Sequence, residues 1–318
     1  MAGSSSSPPV PPLGKYLAST DKKVRDKAIK NLSVFLSDSK DALPPPEMAR
    51  LWKGIFYCFW MSDKPLIQQA LATELAELVL TITSTPAALS FLSGFWETMV
   101  REWNGMDRFR LDKYYMLVRR FVNAAFRLLM RAGWDKTACD QYNTILTREG
   151  GPLCPSDIKV PTSLTYHLSD VYIEELDKAV ASFDSSPSVP PAPLDTLLSP
   201  FLILAAQTSS GVTYKRIKTA LLDPLLSALP SSTNSDGPPQ AKRIRLESKD
   251  PESYPNLIAN ACMSPEDHGQ MDGLMLRKKL LRRIFEVASE SSTRGSNRRR
   301  MYEIWKDAGD GNYDDDSD

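Results

Sequence analysis

The chain has 318 residues, of which 42% are hydrophobic, and its 39 Lys and Arg balance 39 Asp and Glu to a formal net charge of zero. A chain of this length buries about three quarters of its unfolded surface, so its stability requires neither a metal nor a disulfide. The four cysteines and two histidines show no zinc-binding spacing, which favours a reducing compartment.

The first residues, MAGSSSSPPVPPLG, have neither a basic segment nor an apolar segment, so no signal peptide is predicted. The longest apolar runs, at 55–61 and 201–206, are far shorter than the roughly 18 residues of a membrane span. We therefore expect a soluble intracellular protein with no membrane partner.

Residues 1–12, rich in Ser and Pro, are predicted to be disordered. From Leu13 onward the apolar residues recur with the 3.6-residue period of helices, and no segment alternates as a half-buried strand does. Five helices are predicted to begin near residues 21, 46, 65, 86 and 110, and six more are predicted to cover about 136–148, 163–182, 195–207, 213–229, 272–289 and 296–307. Asp63 is predicted to cap the helix that begins near residue 65, and Gly133 to lie just past the end of the helix that begins near residue 110.

Successive pairs of these helices recur at roughly the 40 to 47 residues of a HEAT or armadillo array. The predicted fold class is all-α, an α-α superhelix of HEAT- or armadillo-like antiparallel helix pairs, with an irregular helical bundle as the alternative. The predicted organisation is a disordered segment at 1–12, a helical-repeat domain at 13–229, a flexible Pro/Ser-rich linker at 230–256, basic helices at 257–306 and an acidic disordered tail at 307–318.

Catalytic and cofactor motifs are absent from the sequence. There is no G-x-x-x-x-G-K-[ST] and no G-x-G-x-x-G to hold a nucleotide. His167 lies within an apolar helical pattern and is predicted to be structural, and carboxylate pairs such as Glu174 and Glu175 are typical of solvated helix faces. Asp310, Asn312 and Asp314 resemble the start of a calcium loop that lacks its glycine. We expect no enzyme, no cofactor and no metal site.

A stripe of basic residues follows the helix predicted from about residue 110 to 132. At 100° per residue, Lys113, Arg120, Arg127 and Arg131 fall within about 40° of one another, opposite an apolar face. Seven bases and two acids between Asp107 and Arg131 leave a charge of +5. A stripe of one sign favours an anionic partner, either phosphate or acidic protein, while the alternative is that the arginines bridge to neighbouring helices. The candidate residues are Arg108, Arg110, Lys113, Arg119, Arg120, Arg127 and Arg131.

The last two predicted helices are also basic. Leu276, Leu280, Leu281, Ile284 and Phe285 are predicted to form their docking face, with the bases outward and able to touch RNA. The candidate residues are Arg277, Lys278, Lys279, Arg282, Arg283, Arg298, Arg299 and Arg300.

A short basic cluster lies in the predicted linker, after two prolines. Lys242, Arg243 and Arg245 stand in a polar stretch, the exposed context that a nuclear import receptor requires. The cluster predicts nuclear localisation.

Several blocks of the sequence resemble the eukaryotic nucleolar family of ribosomal RNA processing protein 1. They are LGKYLASTDKKVRDKAIKNLSVFL at 13–36, MARLWKGIFYCFWMSDKPLIQQALATELAEL at 48–78, MDRFRLDKYYMLVRRF at 106–121, LTYHLSDVYIEEL at 164–176, PLDTLLSPFLILAAQ at 193–207 and LRKKLLRRIFEVAS at 276–289. The family motif coincides with the start of the basic helix, at Asp107, Arg108, Arg110, Leu111, Asp112, Lys113, Tyr114, Arg119 and Arg120.

This resemblance implies a non-catalytic helical-repeat assembly factor of the nucleolus, associated with precursors of the large (60S) ribosomal subunit and required for processing their RNA. Its implied partners are the large-subunit pre-ribosomal particle, other nucleolar assembly factors, a nuclear import receptor and, as a further candidate, pre-rRNA. The alternative function is a helical-repeat adaptor in nuclear transport or signalling that binds peptides without RNA.

Overall fold

The structure, a computed structural model, describes residues 13–38, 41–182, 190–231, 253–267 and 269–308. Helices dominate these residues, as predicted, and the all-α fold class with its helical-repeat arrangement is confirmed. In chain order the elements are α1 (Leu13–Leu17), α2 (Lys22–Asp38), α3 (Pro45–Trp60), α4 (Pro65–Thr81), α5 (Thr85–Glu102), a 3₁₀ turn (Trp103–Gly105), α6 (Arg108–Arg131), α7 (Lys136–Thr147), α8 (Thr162–Ala181), β1 (Ala192–Pro193), α9 (Leu194–Gln207), α10 (Gly211–Ile217), a π-helical turn (Lys218–Leu222), α11 (Asp223–Ala228), α12 (Pro255–Ala259), β2 (Ala261–Cys262), α13 (Gly273–Ser289) and α14 (Gly295–Asp307).

Local sequence signals explain several of the helix ends. Ser84 precedes α5 and its side chain accepts a hydrogen bond from the backbone N–H of Ala87, and Pro86 follows in the first turn. Gly133, just past α6, has a φ of +64°, a conformation that glycine adopts without strain. The predicted cap at Asp63 is wrong, because Lys64 is the residue before α4 and its side chain makes no capping bond.

The chain divides into two compact units, at Arg120. In unit 1, up to Arg120, α3 is buried over most of its surface. Trp52 Nε1 donates to the carbonyl of Phe91 at 3.0 Å, and the two ring centroids lie 4.6 Å apart. A Cβ on Gly54 would lie 2.7 Å from Cα of Gly14, so these glycines permit the close approach of α1 and α3.

Unit 2, from Phe121 onward, includes both the remaining helices of the array and the last basic helices. Its centre is aromatic, with the rings of Phe126, Tyr172 and Phe201 in edge-to-face contact at 4.9 and 4.7 Å. Buried Asn297 of α14 donates to the carbonyl of Ala206, in the last turn of α9, and to that of Thr208, just past its end, which fastens the last helix to the unit.

This organisation differs from the predicted domains. Residues 13–229 are divided at Arg120, and the helices of 257–306 belong to the same unit as 121–229. Helical α12 begins at Pro255, inside the predicted linker, and Asp177 of α8 accepts the N–H of Leu257 at 2.8 Å. Hydrophobic periodicity shows which face of a helix is buried, but it does not show which partner covers that face.

A short parallel pair was not predicted. Ala192 of β1 pairs with Ala261 of β2, and the backbone N–H of Ala192 donates to the carbonyl of Asn260 at 2.8 Å. The predicted disordered segment 1–12, most of the predicted linker and most of the predicted acidic tail lie outside the described residues.

Candidate functional site

The start of α6, which contains the family motif, is held against the end of α3 by side chains. Arg110 forms an ion pair with Asp107, and its guanidinium carbon lies 4.5 Å from the centroid of the Trp60 ring. Tyr114 donates from its hydroxyl to the carbonyl of Phe56 at 3.0 Å, and these two rings stack with centroids 5.0 Å apart. The contact of Arg110 with Trp60 and those of Tyr114 with Phe56 join the two sequence blocks at 48–78 and 106–121 within unit 1.

Lys113 contradicts the predicted stripe because it is buried, with only 6% of its surface exposed. Its ammonium donates to the carbonyls of Trp60 at 2.7 Å and Ser62 at 2.8 Å, at the end of α3 where helix carbonyls lack partners in their own helix. Burial lowers the pKa of Lys113 to about 8, although Asp63 opposes the shift. The prediction that Lys113 faces outward is therefore wrong.

The other candidates on α6 keep more contact with solvent. Arg108, Arg120 and Arg131 are exposed, whereas Arg110, Arg119 and Arg127 are half-buried. Phe109 lies between Arg108 and Arg110 with 95% of its surface exposed, and the periodicity did not single it out.

Several bases of the last two helices have structural partners. Arg277 donates to the carbonyl of Leu226, and Arg298 donates to the carbonyls of Ala288 at 3.0 Å and Glu290 at 2.9 Å. These side chains complete the ends of neighbouring helices, so the predicted outward orientation is wrong for Arg277 and only partly right for Arg298.

Three further candidates lie against neighbouring groups. Lys279 pairs with Asp267 at 3.0 Å, and Arg283 pairs with Asp195 at 2.6 Å. The guanidinium of Arg300 lies 5.5 Å from the centroid of the Tyr214 ring. Lys278, Arg282 and Arg299 are exposed, as predicted.

Phe285 was predicted to lie on the docking face of α13, and the structure contradicts this because 39% of the side chain is exposed. At 100° per residue Phe285 falls about 180° from the buried Leu276, so the helical wheel itself carried the signal. Its ring lies 5.0 Å from that of Tyr302 and 5.3 Å from that of Trp305, both half-buried on α14. We call Phe285, Tyr302 and Trp305 the aromatic cluster.

An open depression of about 410 Å³ adjoins the aromatic cluster along one face of α14. The hydrophobic periodicity did not single out Tyr302 or Trp305, because nothing local distinguishes half-buried aromatic side chains from core ones. The depression is lined by Gly295, Arg298, Arg299, Tyr302, Glu303 and Lys306.

Within the described residues, no three His, Cys, Asp or Glu side chains are arranged to hold a metal ion, and no helix there is long and apolar enough to cross a membrane. Glu174 and Glu175 both pair with Lys178, at 2.6 and 3.1 Å. The nuclear-localisation residues Lys242, Arg243 and Arg245 lie outside the described part of the chain.

These features define an all-α helical-repeat protein whose exposed surface combines basic and aromatic side chains. Residues 8–306 match the family described as "Nucleolar protein, Nop52". The chain therefore belongs to this nucleolar family, the family of ribosomal RNA processing protein 1, and the predicted nuclear and nucleolar localisation is confirmed.

Named relatives agree with this assignment. The chain is 28% identical to the human ribosomal RNA processing protein 1 homolog A over 333 residues, which covers 93% of the chain and 69% of the relative. It is 39% identical to the human homolog B over 166 residues, 51% of the chain but only 22% of that relative. A Dictyostelium discoideum homolog is 22% identical over 91% of the chain and 56% of its own length.

Proposed function

We propose that this chain is a non-catalytic nucleolar scaffold in ribosomal RNA processing and in the biogenesis of the large (60S) ribosomal subunit. The observation that carries the proposal is the family match over 8–306, together with relatives named for ribosomal RNA processing. The proposed partners are the large-subunit pre-ribosomal particle, its assembly factors and its pre-rRNA.

The exposed bases support contacts with an anionic particle. Arg108 and Arg120 on α6 and Arg299 on α14 are exposed, and no described residue forms an ion pair with any of them. Such side chains gain most from phosphate or from acidic protein, because no neighbouring carboxylate neutralises them.

The displaced pKa values support a scaffold more than an active site. Burial raises the pKa of the thiols of Cys58 and Cys139 to about 12, which keeps them protonated and unreactive. The Lys113 ammonium, whose pKa is lowered, is bound by two backbone carbonyls and braces α3 against α6. These shifts arise from packing in the interior.

The test is affinity purification of the tagged chain at near-physiological salt, followed by sequencing of the retained RNA and identification of the retained proteins. We expect precursor RNA of the large subunit together with assembly factors. Transport or signalling proteins without that RNA would overturn the proposal and favour a peptide-binding adaptor. Metal-dependent turnover of RNA by the isolated chain would contradict its non-catalytic part.

We further propose that Lys242, Arg243 and Arg245 recruit a nuclear import receptor. The support is their sequence, a basic cluster after two prolines in a polar stretch. Replacing all three with Gln in a fluorescent fusion should lower the nuclear signal. A signal that stays nuclear would contradict this role.

A further inference from the structure

We infer that the aromatic cluster and the bases beside it form a binding site for single-stranded RNA, in which unpaired bases stack on Tyr302. This inference rests on the proposed function for its source of RNA. It adds the class of ligand, the site and the mode of contact.

The first argument is the order of side chains along α14. Arg299, Tyr302 and Lys306 are separated by three and four residues, so they follow one another on a single face of the helix. Arg299 and Lys306 are about 10 Å apart along the axis, at 1.5 Å per residue. That distance matches about three nucleotides at 3.4 Å per stacked base, with one aromatic ring between two cations.

The second argument is that the aromatic side chains are only partly buried. Phe285, Tyr302 and Trp305 pack on one another at the surface, between α13 and α14. The hydroxyl of Tyr302 lies 3.0 Å from Oγ of Ser289, which orients the ring beside the open depression. A ring held in this way presents a platform for a base without first losing conformational freedom.

The third argument is charge. Lys278 and Arg282 are exposed on the side of α13 that carries Phe285. Glu286 is paired with Arg282 at 3.1 Å, and Glu303 is the one acid in the lining of the depression. The bases Arg298, Arg299 and Lys306 outnumber Glu303 in that lining.

This combination favours single-stranded RNA over the two other anionic partners. In a duplex the base faces are already stacked, so a surface ring adds nothing to them. An acidic peptide would use the cations but would gain no stacking from the ring. Basic side chains that follow a backbone, interleaved with an aromatic platform, are the arrangement found in proteins that bind single strands.

The experiment uses the full chain and a fluorescein-labelled single-stranded RNA of about 16 nucleotides, with binding followed by fluorescence anisotropy. Tyr302→Leu keeps an apolar contact with Phe285 but removes the ring, so it should weaken binding about 5- to 150-fold, the value of one stacked base. Tyr302→Phe should bind within about threefold of wild type. Tyr57→Leu, at an exposed tyrosine of α3, is the control and should leave the affinity unchanged.

Salt dependence tests the cations separately. Replacing both Arg299 and Lys306 with Gln should lower the log-log slope of affinity against salt by about 1.4, at roughly 0.7 for each contact with a single strand. The control replaces the exposed Lys53 and Lys64 of unit 1 in the same way and should leave the slope unchanged. If circular dichroism shows that Tyr302→Leu does not fold, the Arg299/Lys306 double variant and its Lys53/Lys64 control still test the RNA site.

Equal affinities of wild type and Tyr302→Leu would overturn the inference, as would equal binding of an RNA duplex of the same length. A Tyr302-dependent affinity for poly-glutamate without one for RNA would assign the surface to a protein partner. Purification of the particle separates this inference from the proposed function. If the chain copurifies with the particle but its RNA binding does not depend on Tyr302, only the inferred RNA site is wrong. If RNA binding depends on Tyr302 but no large-subunit precursor copurifies, only the proposed function is wrong.

Discussion

Replacing Lys113 with Met tests whether this side chain is a structural brace or a surface base. Methionine keeps most of the apolar stem but has no ammonium to donate to the carbonyls of Trp60 and Ser62. The carbonyl of Ser62 still accepts from Nε2 of Gln68 at 2.9 Å, so the larger loss falls on Trp60.

The magnitude follows from two opposed contributions. Hydrogen bonds from a charged donor stabilise a fold by about 1.5–3 kcal/mol each, and Lys113 makes two of them. The burial that lowers its pKa to about 8 opposes them by roughly 3 kcal/mol at most. We expect Lys113→Met to lower the free energy of unfolding by about 2 kcal/mol.

Urea unfolding followed by tryptophan fluorescence reports mainly on unit 1, which contains four of the six tryptophans, Trp52, Trp60, Trp96 and Trp103. With a slope of about 2 kcal/mol per molar, the midpoint of Lys113→Met should fall by about 1 M. Arg120→Gln, at an exposed base on the same predicted stripe, is the control and should stay within about 0.5 kcal/mol of wild type. Equal midpoints for the two variants would refute the assignment of Lys113 as a brace.

Three further predictions follow from particular contacts. Burial lowers the pKa of Lys113 from 10.5 to about 8, so between these pH values the unfolded chain binds one more proton than the folded chain, and stability rises with pH. In urea titrations the free energy of unfolding of wild type should therefore rise by about 1–3 kcal/mol relative to that of Lys113→Met between pH 7 and pH 10. A difference that does not change with pH would contradict the lowered pKa. Gly54→Ala would place Cβ 2.7 Å from Cα of Gly14 and should cost about 1–3 kcal/mol in the same assay, whereas an unchanged midpoint would show that α1 moves aside readily. Asp177→Ala removes the acceptor of the Leu257 N–H, so amide hydrogen exchange in 255–263 should accelerate about 5- to 150-fold while α3 exchanges as before; an equal acceleration of both segments would indicate general destabilisation instead.

The positions of the helices could be predicted because their signals are local. The helix predicted over about 272–289 is observed as Gly273–Ser289, and Gly133 has the positive φ expected just past α6. Both depend on the spacing of apolar residues and on one residue at a helix end, which adjacent sequence supplies. By contrast, Ala192 pairs with Ala261 across 69 residues, and no local pattern marks that pairing.

The burial of individual charged side chains could not be predicted from periodicity. Lys113 and Arg120 lie about 20° apart on the helical wheel, yet the first is buried at the end of α3 and the second is exposed. The two residues lie about two turns apart along α6, and only Lys113 reaches the carbonyls at the end of α3. This difference depends on the tertiary structure.

The residues of α14 that we propose to bind RNA lie outside the sequence blocks that resemble the family, and this decides how variants should be interpreted. Tyr114 and Trp52 stand in the most distinctive sequence blocks, and both donate to buried backbone carbonyls. Loss of function after a change at either residue would therefore report unfolding of unit 1. Tyr302 and Arg299 contribute little to the buried core, so a change there that spares stability and lowers RNA affinity is informative about binding. Genetic tests of the scaffold should accordingly begin at α14, with Lys113→Met as the example of a defect that comes from folding alone.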